Sequence, residues 1–209
     1  MERFLRGRVQ LARALAVEIP GASYADVVLI ITAVLSACAS FRWPGRGIDR
    51  KRFVELLVLH SPEQFRTSWV SIPALINGAF ISESETPYAG GNADRIFRDH
   101  ETDLSFDEAR TRYGDVPRSE LRKHSYASLI YEWLRCGYAH RYCPHENITH
   151  VQPSTRNARV SYISRSIGGQ VKRMMTFHLD YLLELAEHHV SIVPSAASLR
   201  PATWWIDRP

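Results

Sequence analysis

Apolar positions recur at helical spacing through the first third of the chain. Ser23, followed three residues later by Asp26, forms a capping-box pattern that predicts a helix over about 24–41. A second helix is predicted over 49–60, where apolar side chains fall on one face. These two segments supply the first half of a helical core.

Two further long helices are predicted in the second half of the chain. Ser119 precedes a stretch over about 119–138 whose apolar residues again recur at helical spacing. The pair Gly168–Gly169 is followed by a last predicted helix over about 170–190. Both segments are long enough to take part in a bundle.

Shorter patterns lie between these helices. We expect a short helix after Ser61, broken near Pro73, and another over about 105–113 that begins with a capping box. The stretch 83–103 is rich in turn-forming residues and predicts a long excursion. Residues 157–163 alternate β-branched and aromatic side chains, which predicts a short strand or hairpin.

The predicted fold class is therefore all-α, a bundle of four main helices with loop insertions. One domain is expected over 1–190, with core helices from about residue 20, and an irregular tail over 191–209. Trp204 and Trp205 are the residues expected to anchor that tail.

Composition is ordinary for a globular protein and limits the function only weakly. Apolar residues make up 45% of the chain and charged residues 23%, and the formal net charge is +4, which allows an anionic partner. Three cysteines indicate a reducing compartment, so a cytoplasmic location is expected. The most apolar run, 27–39, is shorter than the ~20 residues of a membrane helix, and no membrane association is expected.

The stretch YEWLRCGYAHRYC, residues 131–143, carries the candidate chemistry. Arg135 and His140 stand five positions apart at the end of the predicted long helix. On a straight α-helix such residues are separated by ~140° and do not share a face. We expect the two to meet either through a loosened helix at Gly137 or across an interface between two chains.

The motif Arg135-Cys-Gly-Tyr-Ala-His140, at the end of a bundle helix, resembles the R-x4-6-H motif of HEPN domains. This resemblance implies an all-α bundle that often forms a homodimer. It also implies a metal-independent ribonuclease without a cofactor, of the kind found in toxin–antitoxin pairs, where a cognate antitoxin is the partner, or in phage defence. Cys136 stands where the family commonly has Asn, Asp or His. A catalytically inactive module that binds RNA or a partner protein therefore stays open as the alternative.

The residue types suit metal-free cleavage of RNA. His140 can act as the base for the 2′-hydroxyl, or as the acid, because histidine changes protonation near neutral pH. Arg135 can hold the phosphate and its developing charge through its guanidinium fork. Tyr138 and Arg141 are expected to bind RNA beside the pair, by stacking on a base or holding a flanking phosphate.

Two other interpretations compete for the same segment. A structural zinc site could use five potential ligands within fifteen residues, although only the histidine spacing fits: Cys136, His140, Cys143, His145 and His150. Alternatively, Arg135 is an ordinary solvated charge and His140 favours the negative end of the helix dipole. A separate basic cluster, Arg50-Lys51-Arg52, gives a modest indication of phosphate contact.

Overall fold

The computed structural model describes residues 1–17, 23–83, 97–150, 158–167, 170–193 and 197–209. The helices are α1 (Glu2–Val17), α2 (Tyr24–Arg42), α3 (Asp49–His60), α4 (Ile72–Asn77), α5 (Asp99–Thr102), α6 (Phe106–Arg112), α7 (Arg118–Lys123), α8 (Tyr126–Leu129), α9 (Gly137–Arg141) and α10 (Leu179–Ser191). A π-helical segment, Ile130–Cys136, joins α8 to α9, so that helical backbone runs without a break through residues 126–141, which we call the motif helix. Short 3-10 turns lie at Glu63–Phe65 and at Trp205–Asp207.

The fold is mostly helical, as predicted, but it is not purely α. Strands β1 (Phe97–Arg98), β2 (Val160–Ile167) and β3 (Gln170–Phe177) form an antiparallel sheet in the order β1-β2-β3. The predicted strand over 157–163 is confirmed from Val160 onward, and residues 151–157 lie outside the described part of the chain. Most of the predicted excursion over 83–103 also lies outside it.

Helix α2 lies at the centre of the core. Its apolar residues are buried against α1, α3, α10 and the motif helix. By length and composition alone α2 could cross a membrane, with a hydropathy of 1.9 over its best window, yet 56% of that window is buried inside the fold. Both α2 and α3 begin and end within a residue or so of the predicted bounds.

The prediction for the last helix was wrong at its start. Residues 170–177 form β3, which pairs with β2 from Val160↔Phe177 to Ile167↔Gln170, and α10 begins only at Leu179. Met174, Met175 and Phe177 of β3 are buried, as are most apolar residues of α10, so the same apolar pattern continues from the strand into the helix and resembles helical spacing. The backbone partners that β2 supplies are what make 170–177 a strand. Gly168 and Gly169 lie outside the described residues.

The predicted long helix from Ser119 is divided. Helix α7 ends at Lys123, and Ser125 takes an extended conformation in which its side chain accepts a hydrogen bond from the backbone N–H of Ser128. Ser125 also forms an antiparallel β-bridge with Val70, which attaches this break to the segment that precedes α4. The cap and the bridge together explain why a new helix begins at Tyr126.

The shorter predicted elements are only partly confirmed. The segment after Ser61 forms only a 3-10 turn, and Pro73 lies in the first turn of α4, where a proline is tolerated. The capping box that opens α6 is present. Helix α1 was not predicted, and Trp204 and Trp205 are both buried in the C-terminal tail.

A buried carboxyl group, Asp103, joins the helices to the sheet. It accepts hydrogen bonds from the hydroxyls of Tyr126 on the motif helix and Tyr162 on β2, and from the backbone N–H of Ile72 at the start of α4. Burial raises the pKa of Asp103 to about 7. The protonation state of one side chain therefore affects the junction of three elements.

Candidate functional site: an exposed arginine–histidine pair

Arg135 and His140 meet within one chain. The Nη1 atom of Arg135 lies 3.3 Å from Nε2 of His140, and the contact is exposed to solvent. Arginine has only donors, so Nε2 must be the acceptor in this contact and the proton of the neutral imidazole lies on Nδ1. The histidine is therefore held with a lone pair directed at a guanidinium group.

The π-helical segment contributes to this meeting. It includes Arg135 and ends at Cys136, one residue before Gly137, where the sequence suggested a loosened helix. A π-helix is hydrogen-bonded from i to i+5 and so has a wider turn than an α-helix, and such segments are frequent at functional sites. The long Arg135 side chain also lies over the ring of Tyr131, with Cζ 5.4 Å from the ring centroid. That ring and His140 together fix the direction of the guanidinium.

The end of the motif helix is fixed by Tyr142. Its backbone is left-handed, with φ of 51°, and its N–H donates to the carbonyl of Tyr138 at 3.1 Å. The Tyr142 hydroxyl donates to Asp26, the same carboxylate that caps α2 with Ser23. This hydrogen bond is the main cause of a lowered pKa at Asp26. The last turn, which carries His140, is thus attached to the start of α2.

Gly137 allows the chain to fold back on the motif helix. A Cβ atom at this position would lie 2.7 Å from the carbonyl oxygen of Cys143, which is too close for any side chain. The returning chain is held by a hydrogen bond of 3.3 Å from the N–H of His145 to the carbonyl of Trp133. The His145 imidazole also stacks on the Trp133 indole, with centroids 4.8 Å apart.

The prediction that Tyr138 binds RNA by stacking was wrong. Its side chain is 2% exposed, and its hydroxyl lies 2.5 Å from Nε2 of His150. Tyr138 is a core residue, because the face of the helix that carries it packs against α2. Arg141, the other predicted RNA-binding residue, is exposed beside His140.

The five potential zinc ligands do not converge. Within the described ranges, no group of three histidine, cysteine, aspartate or glutamate side chains is close enough to hold a metal ion. His145 stacks on Trp133, and His150 stacks on Tyr24 with centroids 5.3 Å apart. Burial lowers the pKa of both imidazoles.

Each member of the basic cluster on α3 contacts a carboxylate. Arg50 pairs with Glu132 at 2.8 Å, and Lys51 with Asp207 at 2.8 Å. Arg52 pairs with Asp49 and also donates to two backbone carbonyls, which makes it a structural residue. The first two side chains remain 37% and 44% exposed and can still meet a ligand.

Comparison with protein-family models, curated proteins and solved structures finds no significant match to this chain. The site is therefore defined by its own geometry, as an exposed arginine–histidine pair at the end of a helix in a mostly helical protein.

Sequence reasoning identified the pair but missed what positions it. The sequence did not indicate that Tyr142 ends the helix in a left-handed conformation, because Gly and Asn are the usual residues at such a position. Gly137 was noted, although its role is close approach of the chain rather than flexibility. Nothing in the sequence of residues 130–136 distinguishes a π-helical segment from an ordinary α-helix.

Proposed function

We propose that this protein is a metal-independent endoribonuclease of the HEPN type. The observation that carries the proposal is the exposed contact between Arg135 Nη1 and His140 Nε2 at 3.3 Å. It joins a permanent cation that can bind phosphate to a neutral imidazole that can accept a proton. Both groups lie on the surface, where a polymer can reach them.

The reaction follows from the two side chains. A backbone phosphate of RNA takes the place of His140 as the partner of Arg135, which frees Nε2. His140 then removes the proton of the adjacent 2′-hydroxyl while that oxygen attacks phosphorus. A 2′,3′-cyclic phosphate forms and the bond to the 5′-oxygen breaks, with Arg135 balancing the charge on the phosphoryl oxygens.

The leaving 5′-oxygen needs a proton, and a homodimer can supply it. A two-fold axis near the end of the motif helix would bring a second His140, in its protonated form, to the other side of the bound phosphate. One histidine accepts a proton while the other donates one, so protons balance over the reaction. RNA and a second copy of the chain are therefore the proposed partners, and a cognate antitoxin is expected if the activity is toxic to its own cell.

An inactive HEPN-like module that binds RNA or a partner protein is the second candidate. It is favoured by Cys136, which packs against the core and supplies no polar group to the pair. Such a protein would bind RNA through Arg135 and Arg141 without cutting it.

The deciding experiment is incubation of purified protein with labelled RNA in excess chelator. Cleavage is expected for the wild type and should fall by ~10²–10⁴ in His140→Ala, the usual effect of removing a general acid–base group. His150→Ala is the matched control, since His150 contacts Tyr138 and Tyr24 instead of Arg135. Circular dichroism of each variant checks the fold.

Two results would refute the ribonuclease proposal. One is cleavage that requires added metal, and the other is a His140→Ala variant that cuts as fast as the wild type. Binding of RNA without cleavage under all conditions would support the second candidate.

A further inference from the structure

A basic cavity lies beside the motif helix. Its volume is about 400 Å³, it is open to solvent on one side, and it is lined by the start of α3, by α7 and by the C-terminal 3-10 turn. Its polar side chains are Arg50, Lys51, Ser119, Lys123, Asp207 and Arg208. Four of the six are cations, and one is an acid.

The cations of this cavity are accessible. Arg50, Lys51, Lys123 and Arg208 have side chains between 37% and 48% exposed. Each contacts a carboxylate, but only that of Asp207 lines the cavity. The pairs of Arg50 with Glu132 and of Lys51 with Asp207 are partly exposed on both sides, and such pairs contribute little, so these two cations can exchange to another anion. Arg208 differs in that its partner, Glu55, is buried. The lining itself therefore carries four cations and one acid, and the other three paired carboxylates are not part of it.

The cavity is close to the arginine–histidine pair. Arg50 lines the cavity and also contacts Glu132 on the motif helix, with Nε 2.8 Å from Oε1. Glu132 precedes Arg135 by three residues in the same π-helical segment, which is less than one turn of that helix. A strand bound at Arg135 can continue past Arg50 into the cavity.

We propose that this cavity binds a backbone phosphate of single-stranded RNA, flanking the phosphate held by Arg135. The inference rests on the proposed function for the direction of the strand, but binding at the cavity does not require cleavage. A flexible single strand suits the site, because its backbone can bend from the surface pair into a recess. The phosphate would displace Asp207 from Lys51 and be held by the surrounding cations.

The test uses an oligonucleotide that cannot be cut. A fluorescent RNA with 2′-O-methyl groups throughout lacks the attacking hydroxyl, and its binding is measured by anisotropy over a series of salt concentrations. The double variant Lys51→Ala/Lys123→Ala should weaken binding. It should also make the negative slope of log K against log salt shallower, by roughly 0.7 for each phosphate that the protein no longer neutralises. Asp207→Asn should tighten binding, because it removes the one acid of the lining.

The matched control is Arg3→Ala/Arg8→Ala. It removes the same charge from exposed positions on α1, which packs against α2 and α10. The salt slope should be unchanged in this variant. Equal weakening of binding in both double variants would mean diffuse attraction to net charge, and no change in the lysine variant would mean that RNA does not enter the cavity. Either result overturns the inference.

The outcomes also separate this inference from the ribonuclease proposal. If the wild type cleaves RNA and the lysine variant has an unchanged KM, the ribonuclease proposal holds and the cavity takes no part in binding the substrate. If binding depends on the lysines and the wild type does not cleave RNA, the cavity is an RNA site and the ribonuclease proposal is wrong. Inorganic phosphate is the second probe: if it protects the cavity lysines from acetylation while the oligonucleotide does not, the cavity is a site for the free ion and the inference is wrong.

Discussion

Arg135 and His140 are exposed, whereas Tyr138, which lies between them, is buried with its hydroxyl on His150. The buried and the exposed side of this helix turn thus have different roles. The buried side fixes the turn, and the exposed side holds two polar groups in contact. Substitutions at the exposed pair should therefore change chemistry without unfolding the chain.

The first prediction separates charge from geometry at Arg135. In Arg135→Lys the charge stays, but a single ammonium cannot grip two phosphate oxygens or lie flat on the Tyr131 ring as the guanidinium does. We expect kcat for RNA cleavage to fall roughly 10- to 100-fold. Arg141→Lys is the control, and its effect should be confined to a modest rise in KM. Equal effects at the two positions would count against a special role for Arg135.

The second prediction concerns pH and Asp103. Because burial raises its pKa to about 7, the folded protein holds a proton that the unfolded chain loses near pH 4. The contribution of Asp103 to the free energy of unfolding is therefore fully present below about pH 4 and is lost as pH rises to about 7, a change on the order of a few kcal/mol.

Asp103→Asn should remove this dependence. The difference in unfolding free energy between variant and wild type, measured by urea titration, should shift steadily in favour of the variant from pH 4 to pH 7. Any loss of hydrogen bonds from Tyr126 and Tyr162 is independent of pH and offsets the whole curve. A constant difference across this range would show that the carboxyl group is already ionised in the folded protein.

Among the elements, the motif helix depends most on its surroundings. Its start is set by the cap at Ser125, and its end by the left-handed Tyr142 bound to Asp26. The returning chain crosses the helix at Gly137, where no side chain fits. The position of His140 therefore follows from contacts at both ends of the element.

The third prediction tests this crossing with two glycines. Gly137→Ala puts a Cβ against the carbonyl of Cys143, and we expect a loss of about 1–3 kcal/mol in unfolding free energy together with reduced cleavage. Gly7→Ala is the control, because α1 has open space at that position and alanine favours a helix by roughly 0.5–1 kcal/mol. Chemical denaturation should thus give opposite signs. If both variants are stabilised, the returning chain at Cys143 lies farther from Gly137 than the 2.7 Å Cβ distance implies.

For the whole molecule, the proposed reaction makes cleavage depend on the assembly state. A single chain already brings Arg135 to His140, so a dimer is not needed for their contact. In the proposed reaction, a dimer is needed to supply the second proton-transfer group. Ala139, His140 and Arg141 are all exposed and leave this end of the motif helix open to a second copy.

The fourth prediction is a homodimer through this end of the motif helix. Light scattering should give twice the chain mass, and Ala139→Glu, which opposes two carboxylates near the two-fold axis, should give monomers and abolish cleavage. Gln10→Glu adds the same charge at an exposed position on α1 and should remain dimeric and active. A wild type that stays monomeric at high concentration would contradict the proposed assembly.

The sequence determined those elements whose signals are local. The start of α2 follows from its capping box, and the bounds of α3 follow from apolar spacing. The placement of Arg135 and His140 near a helix end follows from the residues around them. Such features depend on neighbours within about one turn, and a single chain displays them directly.

The tertiary structure decided what depends on distant partners. Residues 170–177 became a strand because β2 supplies their hydrogen bonds, and the break before Ser125 is tied to Val70. Tyr142 holds its unusual backbone through Asp26, a residue 116 positions away. The spacing of residues along the chain does not predict such contacts, because they form only when the chain has folded. The meeting of Arg135 with His140 belongs to this second group, since it needs the turn that those contacts hold.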